Sequence, residues 1–177
     1  MVILIGGSSH VGKTLLSKKL IEKYNFPCTS IDHIKMGFIR SGITDLTPSN
    51  DYEMRYFLWP FLREMIKTAI ENKQDLILEG CYIPSEWKRD MDAKYLKDIR
   101  CVFIVMSEKY IRSHEDDLIK YADVVEKRID DEVNIDRLIN CSYEFKEECI
   151  KEGVPYYEID DVFDLSPLMD MERYRVI

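Results

Sequence analysis

From its seventh residue the chain reads Gly7-Ser8-Ser9-His10-Val11-Gly12-Lys13-Thr14, a complete match to the pattern G-x-x-x-x-G-K-[ST]. Such a loop turns a run of backbone N–H groups toward the phosphate oxygens of a nucleotide. Its lysine adds charge on the outer phosphates, and its threonine hydroxyl reaches magnesium. The pattern has meaning only between a strand and a helix. Both flanks are present: the apolar run Val2-Ile3-Leu4-Ile5 precedes it, and Leu15, Leu16, Leu20 and Ile21 follow at helical spacing among Ser17, Lys18, Lys19 and Glu22. The feature constrains the fold because a loop of this kind needs a buried strand behind it and a helix in front.

The chain of 177 residues is long enough for one domain with a real core, and residues 1–177 are read as one domain. It carries 33 acidic against 25 basic residues, a formal net of −8. That sign argues against nucleic acid and against an anionic membrane surface, both of which need a basic face. Small anionic substrates stay open, since a few focused arginines and lysines suffice. No apolar run approaches the ~20 residues of a spanning helix, and the four apolar residues after Met1 are too few for a secretory signal. Cys28, Cys81, Cys101, Cys141 and Cys149 are scattered, with no C-x-x-C. They read as reduced thiols in a cytoplasmic protein. His10, His33 and His114 have no metal-ligand spacing. Oligomeric state is left between monomer and homodimer.

Short apolar runs at 2–5, 28–31, 76–78, 101–106 and 154–159 read as strands. Helices are expected over 52–72, with Pro60 forcing a kink or break near Trp59, and over 85–97, 108–120 and 122–152. Strands alternating with helices imply right-handed parallel crossovers, hence an α/β sandwich around a parallel sheet. In such a sheet, ligands sit beyond the carboxyl ends of the strands. The candidates are therefore the loop 7–14, Asp32-His33, Glu79-Gly80-Cys81-Tyr82 and Ser107.

Asp32 closes the second run, where a carboxylate can take a proton from an acceptor hydroxyl or hold it in line; the competing reading is a helix cap. Glu79 closes the third, placed to organise magnesium's water shell or to bind the acceptor, and Gly80 would let a substrate approach the backbone. Phosphoryl transfer also needs positive charge over the moving group. Arg112, Arg128 and Arg137 lie in the segment that could supply it, although Asp130, Asp131 and Asp136 offer surface partners. Arg40, Arg55 and Arg63 flank the expected acceptor pocket with Tyr52, Trp59, Tyr82 and Trp87; the large rings read mainly as core, and Tyr82, following Glu79, is carried as an acceptor-side candidate. Arg40, between Gly37 and Gly42, could grip an anionic acceptor.

With these residues assembled, the chain resembles the small P-loop kinases: adenylate and shikimate kinases, chloramphenicol phosphotransferase, zeta-toxin-type kinases and the 2-phosphoglycerate-kinase-like group. The loop 6–14 is similar to their nucleotide loop, Asp32 to their acceptor-activating aspartate, and Leu78-Glu79-Gly80 to the third-strand ending of the last group. Arg128-Ile129-Asp130-Asp131 and Arg137-Leu138 resemble the adenylate-kinase pattern, with the second arginine about two residues early. The resemblance implies a three-layer fold, a five-stranded parallel sheet ordered 2-3-1-4-5, a short helical lid within 107–137, ATP as donor and Mg2+ as cofactor.

The expected function is transfer of the ATP γ-phosphoryl group to a small hydroxyl metabolite. A nucleoside monophosphate acceptor is the alternative, and it needs no base because its phosphate is already ionised. A nucleotide switch fits less well: after the fourth strand stands Ser107-Glu108-Lys109-Tyr110, with no Asn-Lys-x-Asp base reader.

Overall fold

The computed structural model describes residues 1–120 and 134–175. Its frame is one sheet of five parallel strands, β1 (Val2–Gly7), β2 (Cys28–Ser30), β3 (Leu76–Glu79), β4 (Ile99–Met106) and β5 (Tyr156–Ile159), in the order β2-β3-β1-β4-β5. This is the order that the resemblance implied. Each connection crosses over through helix: α1 (Lys13–Tyr24), α2 (Ile31–Arg40), α3 (Asp51–Glu71), α4 (Ala93–Leu96), α5 (Glu108–Ser113), α6 (Glu115–Lys120) and α7 (Ile135–Glu152).

β1 and β4 are buried along their whole length, as continuous apolar runs require in a sheet covered on both faces. Alternation divides their side chains between two cores. Val2, Leu4, Cys101, Phe103 and Val105 pack with Met54, Leu58, Leu62 and Ile66 of α3 and Phe145 of α7. Ile3, Ile5, Val102, Ile104 and Met106 pack with Leu16 and Leu20 of α1 and with Leu165, Leu168 and Met171. Leu168 and Met171 come from two 3-10 turns, Ser166–Met169 and Met171–Tyr174, and Leu165 stands at the N-cap of the first. Arg100 interrupts the second apolar face near the start of β4, and its guanidinium is held by the Lys97 and Ile99 carbonyls and the Glu172 carboxylate.

Four local expectations change. The second strand ends at Ser30, and Ile31 and Asp32 open α2, which the sequence pattern hid behind Gly37, a poor helix former. α3 does not break at Pro60: one backbone bond is lost on the exposed side while Met54, Leu58, Leu62 and Ile66 hold the buried stripe. The 85–97 segment is a 3-10 turn, Trp87–Asp90, then extended backbone at Met91 and Asp92 before α4. The 108–120 segment breaks at His114 into α5 and α6. The middle of the expected lid, 121–133, and with it Arg128, lies outside the described residues.

Candidate active site

Parallel strands bring their carboxyl ends to one edge. Register pairs Ile5 with Glu79, Ser30 with Glu79, and Gly7 with Ile104, so the phosphate loop, the start of α2 and the end of β3 stand side by side. The loop leaves β1 with Gly7 at φ +116, where a Cβ would lie 2.0 Å from the Ile104 carbonyl oxygen. Only glycine fits that approach. Gly12 caps α1 in the left-handed region, with no side chain closing the helix end and no acid in its first turn. The free N–H groups and the helix dipole there suit an anion.

Lys13 folds back beneath this loop. Its ammonium donates to the Ser8 carbonyl at 2.5 Å and lies 3.2 Å from the Cys81 sulfur, with only 7 % of the residue exposed. Thr14 Oγ1 donates to Glu79 Oε2 at 3.4 Å, and Glu79 is 2 % exposed. A carboxylate buried beside the loop threonine is an oxygen set that fits a hydrated magnesium ion. α7 crosses above: the Ser142 hydroxyl lies 2.7 Å from that of Ser8, tying the loop to a residue no motif marks. On the other side Phe163 and Leu165 close over Gly12, where a Cβ would meet the Phe163 ring at 2.7 Å.

Beside the loop, α2 carries the expected acceptor-side carboxylate. Asp32 sits in its first turn, after Ser30 in the N-cap position, so it is neither a strand end nor the cap. One turn on, Lys35 places its ammonium 3.1 Å from Asp32 Oδ1 and donates to the Tyr82 hydroxyl at 2.6 Å. Tyr82 is buried at 3 % exposure and donates in turn to Asp51 Oδ1 at 2.8 Å. Burial, then the carboxylates of Asp32 and Asp51, pushes its phenol pKa far up, so the proton stays on. The ring is a strut of the site, and its hydroxyl is taken up within the protein. Arg137, in the first turn of α7, pairs with Asp51 Oδ2 at 2.7 Å.

Other candidates fall elsewhere. Arg40 is exposed at the far end of α2, about 12 Å along the helix from Asp32. The space left by the missing side chain of Gly80 is taken by Ile31, 2.9 Å from where a Cβ would stand, so the glycine makes room for α2. Arg112 pairs with Glu108 on the α5 surface. Arg55 stacks on Phe145 and bonds Glu148, and Arg63 pairs with its neighbour Glu64. Trp59, Tyr82 and Trp87 are buried as core rings, whereas Tyr52 is exposed.

No family model matches the chain, and no curated protein does. Solved structures do. A gluconokinase from Sinorhizobium meliloti 1021 aligns at 14 % identity and TM-score 0.53, covering 95 % of this chain and 86 % of its own. Deoxyadenosine kinase from M. mycoides aligns at 16 %, 0.51, and 98 % and 97 % coverage. Shikimate kinase from Bacteroides thetaiotaomicron aligns at 16 %, 0.50, and 98 % and 93 %. The fold is that of the small P-loop kinases. Within that fold the loop, Glu79 and Asp32 occupy one edge of the sheet, and among the described residues no helix is long and apolar enough to cross a membrane.

Proposed function

We propose that this P-loop kinase fold transfers the γ-phosphoryl group of ATP to a hydroxyl on a small metabolite, with Mg2+ bound beside Thr14 and Glu79, in the cytoplasm where ATP is made available. The observation that supports it best is the placement of two carboxylates around one phosphate loop: Glu79 against the Thr14 hydroxyl, and Asp32 on α2 beside Lys35.

In this reading the backbone N–H groups of residues 8–14 and the Lys13 ammonium hold the β- and γ-phosphates. Magnesium, when bound, would neutralise phosphate charge. Asp32 accepts the acceptor's hydroxyl proton as its oxygen attacks the γ-phosphorus. The bond to the β–γ bridging oxygen breaks, and ADP leaves with that electron pair. Arg137, and Arg128 within the lid segment, supply positive charge over the moving group. Arg40 and Tyr82 have smaller parts: Arg40 at the outer end of α2, and Tyr82 through Lys35.

The test is ADP release in a coupled assay against gluconate, shikimate, deoxyadenosine, glycerates, aminocyclitols and AMP. Release that needs Mg2+ and one of these hydroxyl acceptors, and that Asp32→Ala abolishes, supports the proposal. Preference for AMP with indifference to Asp32→Ala would point to a nucleoside monophosphate kinase instead. Equal ATP turnover with and without every acceptor would remove the kinase reading.

A further inference from the structure

One ion pair and three hydrogen bonds run from Asp32 to Arg137: the Lys35 ammonium lies 3.1 Å from Asp32 Oδ1, Lys35 donates to Tyr82 at 2.6 Å, Tyr82 to Asp51 at 2.8 Å and Arg137 to Asp51 at 2.7 Å. Their direction is forced by chemistry. An ammonium and a guanidinium only donate and a carboxylate only accepts, so the phenol must accept from Lys35 and donate to Asp51. The line begins on α2, passes the segment after β3 and the first residue of α3, and ends in the first turn of α7. It therefore links the Asp32 carboxylate on α2 to a cation on α7, the helix that also touches the phosphate loop.

The two ends differ in strength. Lys35 and Tyr82 are enclosed, the lysine side chain only 11 % exposed, and breaking their bond would strand a buried charge. The Arg137–Asp51 pair is open to water, with side chains 64 % and 49 % exposed, and pairs of that kind are weak. Ser142, on the same helix five residues beyond Arg137, already touches Ser8 of the loop. Arg137 and the Ser142 loop contact therefore sit on one rigid helix, about one and a half turns apart. Nucleotide phosphates arriving in the loop would compete with Asp51 for the guanidinium. Losing it leaves Asp51 with the phenol, and the pull passes through Tyr82 to the ammonium that holds Asp32.

We propose that Lys35, Tyr82 and Asp51 are positioning residues that connect Asp32 to Arg137, so that phosphates bound beside Arg137 reset the Asp32 carboxylate on the acceptor side. The proposal rests on the kinase reading above, yet it can fail alone. It concerns a two-state response of α2 to the donor site, which must be demonstrated as such.

Hydrogen–deuterium exchange of the whole protein, with and without magnesium and the non-hydrolysable ATP analogue AMP-PNP, reads both sites at once. The wild type should gain protection in residues 8–16 and change exchange in residues 31–39. In Tyr82→Phe and in the exposed variant Asp51→Asn, the loop response should persist while the α2 response shrinks at least about threefold. Once an acceptor is in hand, Tyr82→Phe should lower kcat about tenfold with KM for ATP changed less than about twofold, and Lys35→Arg should recover part of what Lys35→Met loses. An α2 response equal to wild type in both Tyr82→Phe and Asp51→Asn, or no α2 response in the wild type beside a protected loop, overturns the connection and leaves the kinase reading standing. No loop protection at all takes both down.

Discussion

The Thr14 hydroxyl faces the buried carboxylate of Glu79 across 3.4 Å, joining the end of the phosphate loop to the end of β3. If the pair organises magnesium, Glu79→Gln keeps the shape and removes the charge that holds the metal's water. The Mg2+ concentration for half-maximal ADP release should rise by about tenfold to a hundredfold, with nucleotide binding in the absence of metal little changed. A magnesium titration of the coupled assay checks this; an unchanged midpoint would assign Glu79 to the acceptor.

Lys13 is enclosed by Ser8 and Cys81, so its charge is little screened by water. Lys13→Met should lower turnover by about 10² to 10³, the range for removing a preorganised charge from a transition state. Thermal melting should show a folded protein, separating lost chemistry from lost structure.

The two loop glycines should differ. Gly7→Ala forces a Cβ onto the Ile104 backbone at 2.0 Å, and a carbonyl in the central sheet cannot yield, so a cost above about 3 kcal/mol is expected. Gly12→Ala meets the far end of the Phe163 ring at 2.7 Å, and that ring is partly exposed and can swing. The residual cost is that of a left-handed alanine, about 1–2 kcal/mol. Urea unfolding of both variants, with Gly12→Ala repeated on a Phe163→Ala background, measures the contrast.

Burial, reinforced by the neighbouring Cys81, lifts the Cys141 thiol from the ordinary 9.0 to about 11, against the opposing Ser9 backbone, Lys13 and Arg55. Because the folded value is raised, an unfolded chain ionises first. The stability tied to the neutral thiol is complete below pH 9 and drains away as pH climbs from 9 to about 11, by about 2–3 kcal/mol. Urea midpoints from pH 8 to 11 should therefore fall more steeply in the wild type than in Cys141→Ala. Parallel curves would show that the thiol titrates like a free one.

What the sequence made legible was local. Residues 7–14 are contiguous, and Glu79 is marked by the apolar run it ends, so strand, loop and carboxylate follow from short-range pattern. The pattern puts Asp32 at the carboxyl edge of the sheet but ends a strand there instead of opening α2, since Gly37 weakens the helical signal. Lys35, Asp51 and Ser142 carry no motif. They matter because packing sets α2, α3 and α7 around the loop, and such contacts, between residues 31 to 134 positions apart, leave no periodicity to read. Position marks Tyr82, but its burial and its two charged partners turn an aromatic acceptor-side candidate into a support for a lysine.

Phe163 and Leu165, which close over Gly12, come about 150 residues after it, so chain order and spatial order run opposite ways. During synthesis the phosphate loop emerges well before the residues that cover it. A growing chain can hold the loop in place only after β4 and the segment beyond β5 have docked, and until then its glycines have neither the Ile104 carbonyl behind them nor the Phe163 ring above. Phosphate grip is thus acquired by the loop only after residues about 150 positions further on have folded back over it.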